Sequence, residues 1–229
     1  MKTIGLLGGM SWESTLGYYQ LINEGIKEKL GGLHSAKIAM FSVDFDEIEK
    51  LQHKEDWDKT ADILSSYAKN IEKAGADFLI IATNTMHKVA AQIENSINIP
   101  ILHIADATAK ELIKNNIKKV GLLGTAFTME QDFYKGRLEE KFNLEVLTPN
   151  KKDRELVHKI IYNELCLGKT KEASKKEYLR VIENLAKDGA EAIILGCTEI
   201  GLLIKQSDTK IKLFDTTLIH AKAAVKLAL

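Results

Sequence analysis

Two short stretches of this sequence end an apolar run in side chains that can do chemistry. Residues 83–85 read Thr-Asn-Thr, and residues 197–199 read Cys-Thr-Glu. A thiol acts as a base or a nucleophile once nearby hydrogen-bond donors or a helix N-terminus lower its pKa. Hydroxyls, an amide and closely spaced backbone N–H groups suit a carboxylate. The two stretches therefore predict one active site, in which a thiol serves as a base or a nucleophile beside a place for a carboxylate.

Each stretch also has a purely structural interpretation. A lone cysteine is most often a small buried apolar residue. Thr-Asn-Thr suits an Asx or Ser/Thr turn that caps the next helix, although such a helix N-terminus also binds anions. Cys166, within IIYNELCLG, has only the structural interpretation.

An internal repeat links the two stretches. KTIGLLGGMS at 2–11 resembles KKVGLLGTAF at 118–127, and GADFLIIATNT at 75–85 resembles GAEAIILGCTE at 189–199. A third echo pairs the sequence around Asp106 with that around Asp215. Three matches in the same order indicate two related halves. Thr83 and Cys197 occupy equivalent positions and are predicted to face each other across one small molecule.

The elements that position these residues follow from hydrophobic periodicity. Short apolar runs alternate with segments of helical spacing, and runs that are apolar throughout indicate strands covered on both faces. The sequence predicts an α/β fold of two pseudo-symmetric three-layer domains with mainly parallel sheets. We expect 1–98 plus 208–229 to form one half and 99–207 the other. The predicted strands are Thr3 to Leu7, Lys37 to Val43, Phe78 to Ala82, Ile101 to Ile104, Val120 to Leu123, Leu144 to Leu147, Ala192 to Leu195 and Ile211 to Phe214.

Two helices are predicted in detail. Tyr18, Ile22 and Ile26 share one helical face, and a second face runs from Trp57 through Ala61, Leu64 and Ala68 to Ile71. Gly75 stands where the second helix is expected to end.

Composition argues against several classes of protein. Lysine plus arginine equals aspartate plus glutamate at 32 each in 229 residues, so a nucleic-acid partner is not expected. No apolar run approaches the roughly 18 residues of a bilayer span, so no membrane role is expected. Two cysteines and no secretory leader pattern predict a cytoplasmic protein with reduced thiols.

Other motifs carry less weight. GLLGGMSWEST is a glycine-rich turn for a second carboxylate or phosphate contact, but it matches neither nucleotide-binding fingerprint. CLGKT at 166–170 lacks the leading glycine of a P-loop, since Asn163 stands there. The six histidines show no metal-ligand spacing, so no metal site is predicted. Only His87 lies near the expected site, where we expect it to support the site residues.

Together, GLLGGMSWEST, TNTMH, LGTAFTMEQDFYKGRL and GCTEIGLL resemble the aspartate/glutamate racemase family over nearly the whole chain. The resemblance implies a site in the cleft between two α/β domains, no cofactor, an amino-acid substrate and a homodimer. It also implies racemisation by two bases, one on each face of the α-carbon, with Asn84, Thr85 and Thr198 around the α-carboxylate. The matching positions are Thr83 and Cys197 for catalysis, and Met10, Gln52, Asn84, Thr85, Met86, Thr198 and Glu199 for substrate binding.

Thr83 departs from the family pattern, which usually has cysteine there. A threonine hydroxyl is too weakly acidic to serve as a resting base near pH 7, so Cys197 is expected to be the effective base. The family's assignment of faces implies that this base acts on the L enantiomer. Two alternatives stay open: an arylmalonate-type decarboxylase with a single cysteine, and a catalytically weakened dicarboxylate-binding protein. Aspartate, glutamate and a broader set of amino acids are all compatible with the sequence.

Overall fold

A computed structural model describes residues 1–229. The strands are β1 (Ile4–Gly8), β2 (Ile38–Ser42), β3 (Phe78–Ile81), β4 (Lys119–Gly124), β5 (Glu145–Leu147), β6 (Ala192–Gly196) and β7 (Lys212–Asp215). The α-helices are α1 (Trp12–Leu30), α2 (Phe45–His53), α3 (Trp57–Lys73), α4 (Ala90–Glu94), α5 (Ile104–Lys114), α6 (Ala126–Glu130), α7 (Lys135–Phe142), α8 (Lys151–Asn163), α9 (Glu172–Lys187), α10 (Ile200–Leu203) and α11 (Thr216–Ala228). Short 3-10 helices span Thr85–Val89, Leu165–Leu167 and Gln206–Asp208.

The strands form two parallel sheets. The first has the order β2-β1-β3 and the second has the order β5-β4-β6-β7, and every strand pair is parallel. The predicted α/β class with parallel sheets is confirmed. Since parallel strands all end at the same edge of their sheet, the loops after β1 and β3 meet at one edge, and those after β4, β6 and β7 meet at another.

The sequence repeat is visible in the strand order. β2-β1-β3 corresponds to β5-β4-β6, and a single parallel bridge between Leu79 and Ile101 takes the position that β7 has in the second sheet. The predicted strand from Ile101 to Ile104 is therefore wrong, while the other seven exist within a residue or two. Pro100 has no N–H to extend the ladder, and α5 already begins at Ile104, so only one residue can pair.

The chain forms two compact units, residues 1–104 with 220–229, and residues 105–219. Both limits of the second unit lie later in the chain than the sequence pattern indicated. Strand β7 pairs with β6, so residues 212–215 belong with the second sheet rather than with the C-terminal segment that returns to the first unit.

The first unit is built around fully apolar strands. Leu7, Leu79 and Ile81 pack in one cluster with the α3 face of Leu64, Ala68 and Ile71. Ile4, Leu6, Phe78 and Ile80 pack in a second cluster with Tyr18, Ile22 and Ile26 of α1 and with Ala221, Ala224 and Val225 of α11. Alternate side chains of each strand point to opposite faces, so both faces are covered and each buried Leu or Ile contributes roughly 1.5–3 kcal/mol.

Both predicted helix faces are confirmed, although Trp57 is only partly buried. Gly75 follows α3 with a φ of 89°, in the left-handed region where a glycine is favoured.

The second unit has the same construction. β4 and β6 are buried almost throughout, and α9 packs on the sheet through Tyr178, Val181, Ile182 and Leu185. Cys166 lies in the 3-10 helix Leu165–Leu167 rather than within an α-helix. No helix in either unit combines the length and apolar character that crossing a membrane requires.

A buried histidine closes the first unit where the chain returns to it. The carbonyl of Leu102 accepts from Nε2 of His220 at 2.7 Å, so that nitrogen carries the hydrogen. Nδ1 must then accept from the Tyr18 hydroxyl at 2.9 Å. Burial lowers the pKa of His220 to about 4, because the ring is removed from water, although its bond to Leu102 opposes the shift.

We expect His220 to make the stability of the protein depend on pH. Because its pKa falls on folding, its contribution is complete above the unfolded value near 6.5 and is lost as pH falls towards 4, by roughly 3 kcal/mol. His220→Gln keeps a donor for Leu102 but cannot titrate. The free energy of unfolding in urea, measured from pH 7 to 4, should therefore fall less steeply in this variant than in wild type. Equal slopes would contradict the assignment.

Candidate active site

The first candidate loop follows β3. Ala82 donates its N–H to the carbonyl of Leu7 at 2.9 Å, which holds the end of β3 beside β1. Thr83, 8% exposed, Asn84 and Thr85 are buried, and the 3-10 helix Thr85–Val89 starts at once. The Asn84 side chain does not cap that helix, which argues against an Asx turn as its purpose.

The glycine-rich turn after β1 lies at the same edge. Gly9 has a φ of 91°, and a Cβ there would collide with the backbone of Val43. The Thr15 hydroxyl accepts from the Gly9 N–H at 2.8 Å and donates to the Ser11 carbonyl at 2.9 Å, which fixes the turn. The sequence between them places Met10 in this turn, and its side chain is buried.

Three predicted substrate residues come together in the first unit. Gln52, buried at the end of α2, donates from Nε2 to the sulfur of Met86 at 3.7 Å. Met86 and Met10 belong to the same apolar cluster, together with Val43. Met86 is fully buried, so its sulfur is a fixed partner for the Gln52 amide.

The second candidate loop follows β6. Gly196 pairs with Gly124, and a Cβ on Gly196 would lie 2.8 Å from both Leu122 Cδ1 and the carbonyl oxygen of Leu123. Only a glycine fits there without displacement. Cys197 comes next, 8% exposed, and its carbonyl accepts from the Ile200 N–H at 3.1 Å as α10 begins.

One carboxylate oxygen organises this second loop. Oε2 of Glu199 accepts from the Cys197 thiol at 2.9 Å and from the Thr198 hydroxyl at 2.9 Å. Glu199 is only 2% exposed. Burial, followed by the negative charge of Glu199, raises the pKa of the Cys197 thiol well above its ordinary value. The loop therefore holds a protonated thiol that points its hydrogen at a carboxylate.

The end of β7 supports this loop from the side. The Thr216 hydroxyl donates to the Leu195 carbonyl at 2.8 Å, and that of Thr217 donates to the Thr198 carbonyl at 3.4 Å. The Asp215 carboxylate accepts from the Thr217 N–H at 2.9 Å and packs against Gly201, and burial raises the pKa of Asp215. The sequence did not predict a role for Asp215, Thr216 or Thr217. The third echo, which includes Asp-Thr-Thr at 215–217, was the one pattern that marked them.

A family model for Asp/Glu/Hydantoin racemases matches residues 7–224. The chain belongs to this family. The resemblance read from the sequence is confirmed, and the relatives described below as racemases are isomerases.

Two solved structures and one curated relative are similar to this racemase-family chain over its full length. A candidate Asp/Glu racemase from Yersinia pestis is 55% identical, with a TM-score of 0.92 over 100% of this chain and 99% of the other. An aspartate racemase homologue from Pyrococcus horikoshii OT3 is 39% identical, with a TM-score of 0.85 over 100% and 99%. The broad specificity amino-acid racemase RacX of Bacillus subtilis (strain 168) is 23% identical over 97% of this chain and 96% of its own.

We expect Glu199→Gln to lower the pKa of the Cys197 thiol, because the variant removes the negative charge that disfavours a thiolate. The measurement is thiolate absorbance as a function of pH in a Cys166→Ser background, so that Cys197 is the one thiol observed. Glu172→Gln, an exposed change of the same charge, is the control and should leave the titration unchanged. An unchanged midpoint in Glu199→Gln would contradict the contact.

Proposed function

We propose that this chain is a cofactor-independent racemase of aspartate, glutamate or both, with Cys197 as the base that removes the α-proton. The observation that carries the proposal is the hydrogen bond from the buried Cys197 thiol to Glu199. Family membership supports the reaction class. The finer assignments that follow are part of the same proposal.

The Cys197 half-reaction needs two proton movements. The thiol proton passes to Oε2 of Glu199, and the resulting thiolate takes the α-proton from the L enantiomer. The electron pair left on the α-carbon is shared with the α-carboxylate, where added negative charge is stabilised by fixed donors. We assign that task to Asn84, Thr85 and the backbone N–H of Thr198, because the Thr198 hydroxyl already donates its hydrogen to Glu199. Glu199, predicted from the sequence to bind substrate, serves here as the partner of Cys197.

Thr83 is proposed to stand on the other face of the α-carbon, as its position in the repeat indicates. Its hydroxyl is a poor resting base but can deliver a proton to a carbanion. The alkoxide then regains a proton from solvent, as Glu199 releases the one it took from Cys197. Proton removal from the D enantiomer is therefore expected to be slow. Because the enzyme cannot shift the equilibrium between enantiomers, this asymmetry appears in exchange rates, turnover numbers and Michaelis constants taken separately.

Met10 and Gln52 are proposed to bound the substrate on the side of the first loop. Gln52 offers an amide that can hydrogen-bond a polar side chain of the substrate, and Met86 holds Gln52 from below. An apolar surface with one fixed amide is compatible with aspartate and with glutamate.

A homodimer in the cytoplasm is part of the proposal. Trp12, Leu16 and Tyr19 form a stripe along α1, and their exposed fractions are 64%, 57% and 51%. A second copy covering this stripe would remove it from water. Light scattering of wild type and Leu16→Glu tests this assignment.

One observation favours a second candidate function. A buried, protonated Cys197 is suited to delivering a proton to a carbanion, which is the step that an arylmalonate-type decarboxylase requires. The decarboxylase function would be favoured if wild type released carbon dioxide from phenylmalonate and Cys197→Ser did not. Tight binding of dicarboxylates with neither reaction would favour the binding-protein alternative.

The test of the racemase proposal is α-hydrogen exchange by NMR in deuterium oxide, without added cofactor, for L- and D-aspartate and L- and D-glutamate. Wild type should exchange the L enantiomers faster than the D enantiomers. Cys197→Ser should lose roughly 10²–10⁴-fold in exchange of the L enantiomers, the usual contribution of a positioned base. No exchange with any of the four would reject the proposal.

Thr83→Cys is the matched gain-of-function variant. A thiol at this position restores an effective base, so exchange of the D enantiomers should increase by about tenfold or more while exchange of the L enantiomers changes little. Thr83→Val, similar in volume but without the hydroxyl, should abolish inversion. Equal exchange of both enantiomers by wild type would remove the reason for assigning unequal roles.

A further inference from the structure

His87 is bonded through both nitrogens of its ring, four residues after Thr83. Nδ1 lies 2.8 Å from the Thr83 carbonyl oxygen, and the Ile104 N–H donates to Nε2 at 3.2 Å. The residue is 3% exposed. The ring therefore joins the first candidate loop to the start of α5, 17 residues further along the chain.

These two partners fix the protonation of the ring. A carbonyl oxygen can only accept, so Nδ1 must carry the hydrogen. A backbone N–H can only donate, so Nε2 must be free of hydrogen. His87 is thus a neutral imidazole in one tautomer, since a second ring proton would point at the Ile104 N–H.

The bond to Thr83 takes the place of a main-chain bond. In an α-helix the Thr83 carbonyl would accept from the His87 N–H, four residues ahead. Here the chain forms a 3-10 turn, and the His87 N–H goes to the Asn84 carbonyl at 3.1 Å instead. The imidazole satisfies the carbonyl that this tighter turn leaves over, so it sets the orientation of the Thr83 peptide.

The ring is held in place by other aromatic side chains. His103 lies 4.4 Å from His87 between ring centroids, and His220 lies 6.1 Å away. His220 is itself fixed by Tyr18 and by the Leu102 carbonyl. His220 thus holds Leu102, and His87 holds Ile104, at the point where the chain leaves the first unit. The close packing against His103 leaves the His87 ring little freedom to turn.

We propose that His87 is a positioning residue that holds the Thr83 peptide, and with it the Thr83 hydroxyl, in the orientation needed for proton delivery to the substrate. This inference rests on the proposed racemase function. His87 does not contact substrate in this scheme; it acts through Thr83. A displacement of about 1 Å at a reacting group can cost roughly 10²-fold in rate, so a peptide held this way matters for the Thr83 face.

Two variants separate the two bonds. The amide of His87→Asn lies at the level of Nδ1 and can donate to Thr83, whereas that of His87→Gln reaches the level of Nε2 and can accept from Ile104. His220→Gln removes a neighbouring buried ring whose nitrogens bond elsewhere, so it controls for general loss of packing. All three are expected to lower the melting temperature.

The activity readout is the ratio of inversion to retention when L-aspartate or L-glutamate incorporates deuterium. Retention uses only the Cys197 face, whereas inversion also needs the Thr83 face. His87→Gln should lose about tenfold to a hundredfold in this ratio, while His87→Asn and His220→Gln stay within about threefold of wild type. Equal ratios in His87→Asn and His87→Gln would overturn the proposal, as would a loss that affects inversion and retention alike.

A second readout is independent of catalysis. Nitrogen-15 spectra of the histidine rings should report the Nδ1–H tautomer for His87, and the carbon-13 shift of the Thr83 carbonyl should change in His87→Gln but not in His87→Asn. If wild type incorporates no deuterium, the racemase proposal fails while these shifts still decide whether His87 holds the Thr83 peptide. An Nε2–H tautomer, or a carbonyl shift that is the same in both variants, would show that it does not.

Discussion

Parallel pairing of β3 with β1, and of β6 with β4, is the constraint on which both candidate loops depend. It brings the carboxyl ends of neighbouring strands to one edge, so that Thr83 follows directly beside the glycine-rich turn and Cys197 beside Gly124. The close approach at Gly196 makes this arrangement strict, because any side chain there would overlap Leu122 or the Leu123 carbonyl. Helices on both faces of the first sheet bury the strands that bear the loop.

The loop after β3 and the loop after β6 follow strands paired in the same way, each in its own sheet, but their polar groups have different partners. In the second loop the partner of Cys197 is two residues away, since the carboxylate of Glu199 accepts from both the thiol and Thr198. The equivalent position in the first loop is Thr85, which brings no charge. There the support comes from the neutral ring of His87. One half of the repeat therefore offers a proton acceptor beside a thiol, and the other a hydroxyl on a peptide held by an imidazole.

The sequence predicted those features that depend on the period of apolar residues. The helical faces at Tyr18 and Leu64 follow directly from spacing, as do seven strands. The segment after Pro100 was wrongly predicted as a strand because its length and apolar character suit one. The early start of α5, which shortens this segment, depends on the tertiary fold. His87 was placed near the site by its position in the chain, but the use of both ring nitrogens depends on Ile104, which only the fold brings close. The bond between Cys197 and Glu199 depends on a turn whose geometry the sequence does not specify.

A thiol whose pKa is raised by burial and by a neighbouring carboxylate looks unsuited to act as a base. The difficulty concerns two negative charges held together: a thiolate and a carboxylate, both removed from water, repel each other strongly. In the proposed mechanism Cys197 and Glu199 avoid this because only one proton moves, from the thiol to Oε2 of Glu199. Moving that proton along the 2.9 Å hydrogen bond creates a thiolate without adding a second negative charge. In the proposed mechanism the base forms by this transfer within the pair, and the burial that opposes ionisation also keeps water from competing for the proton.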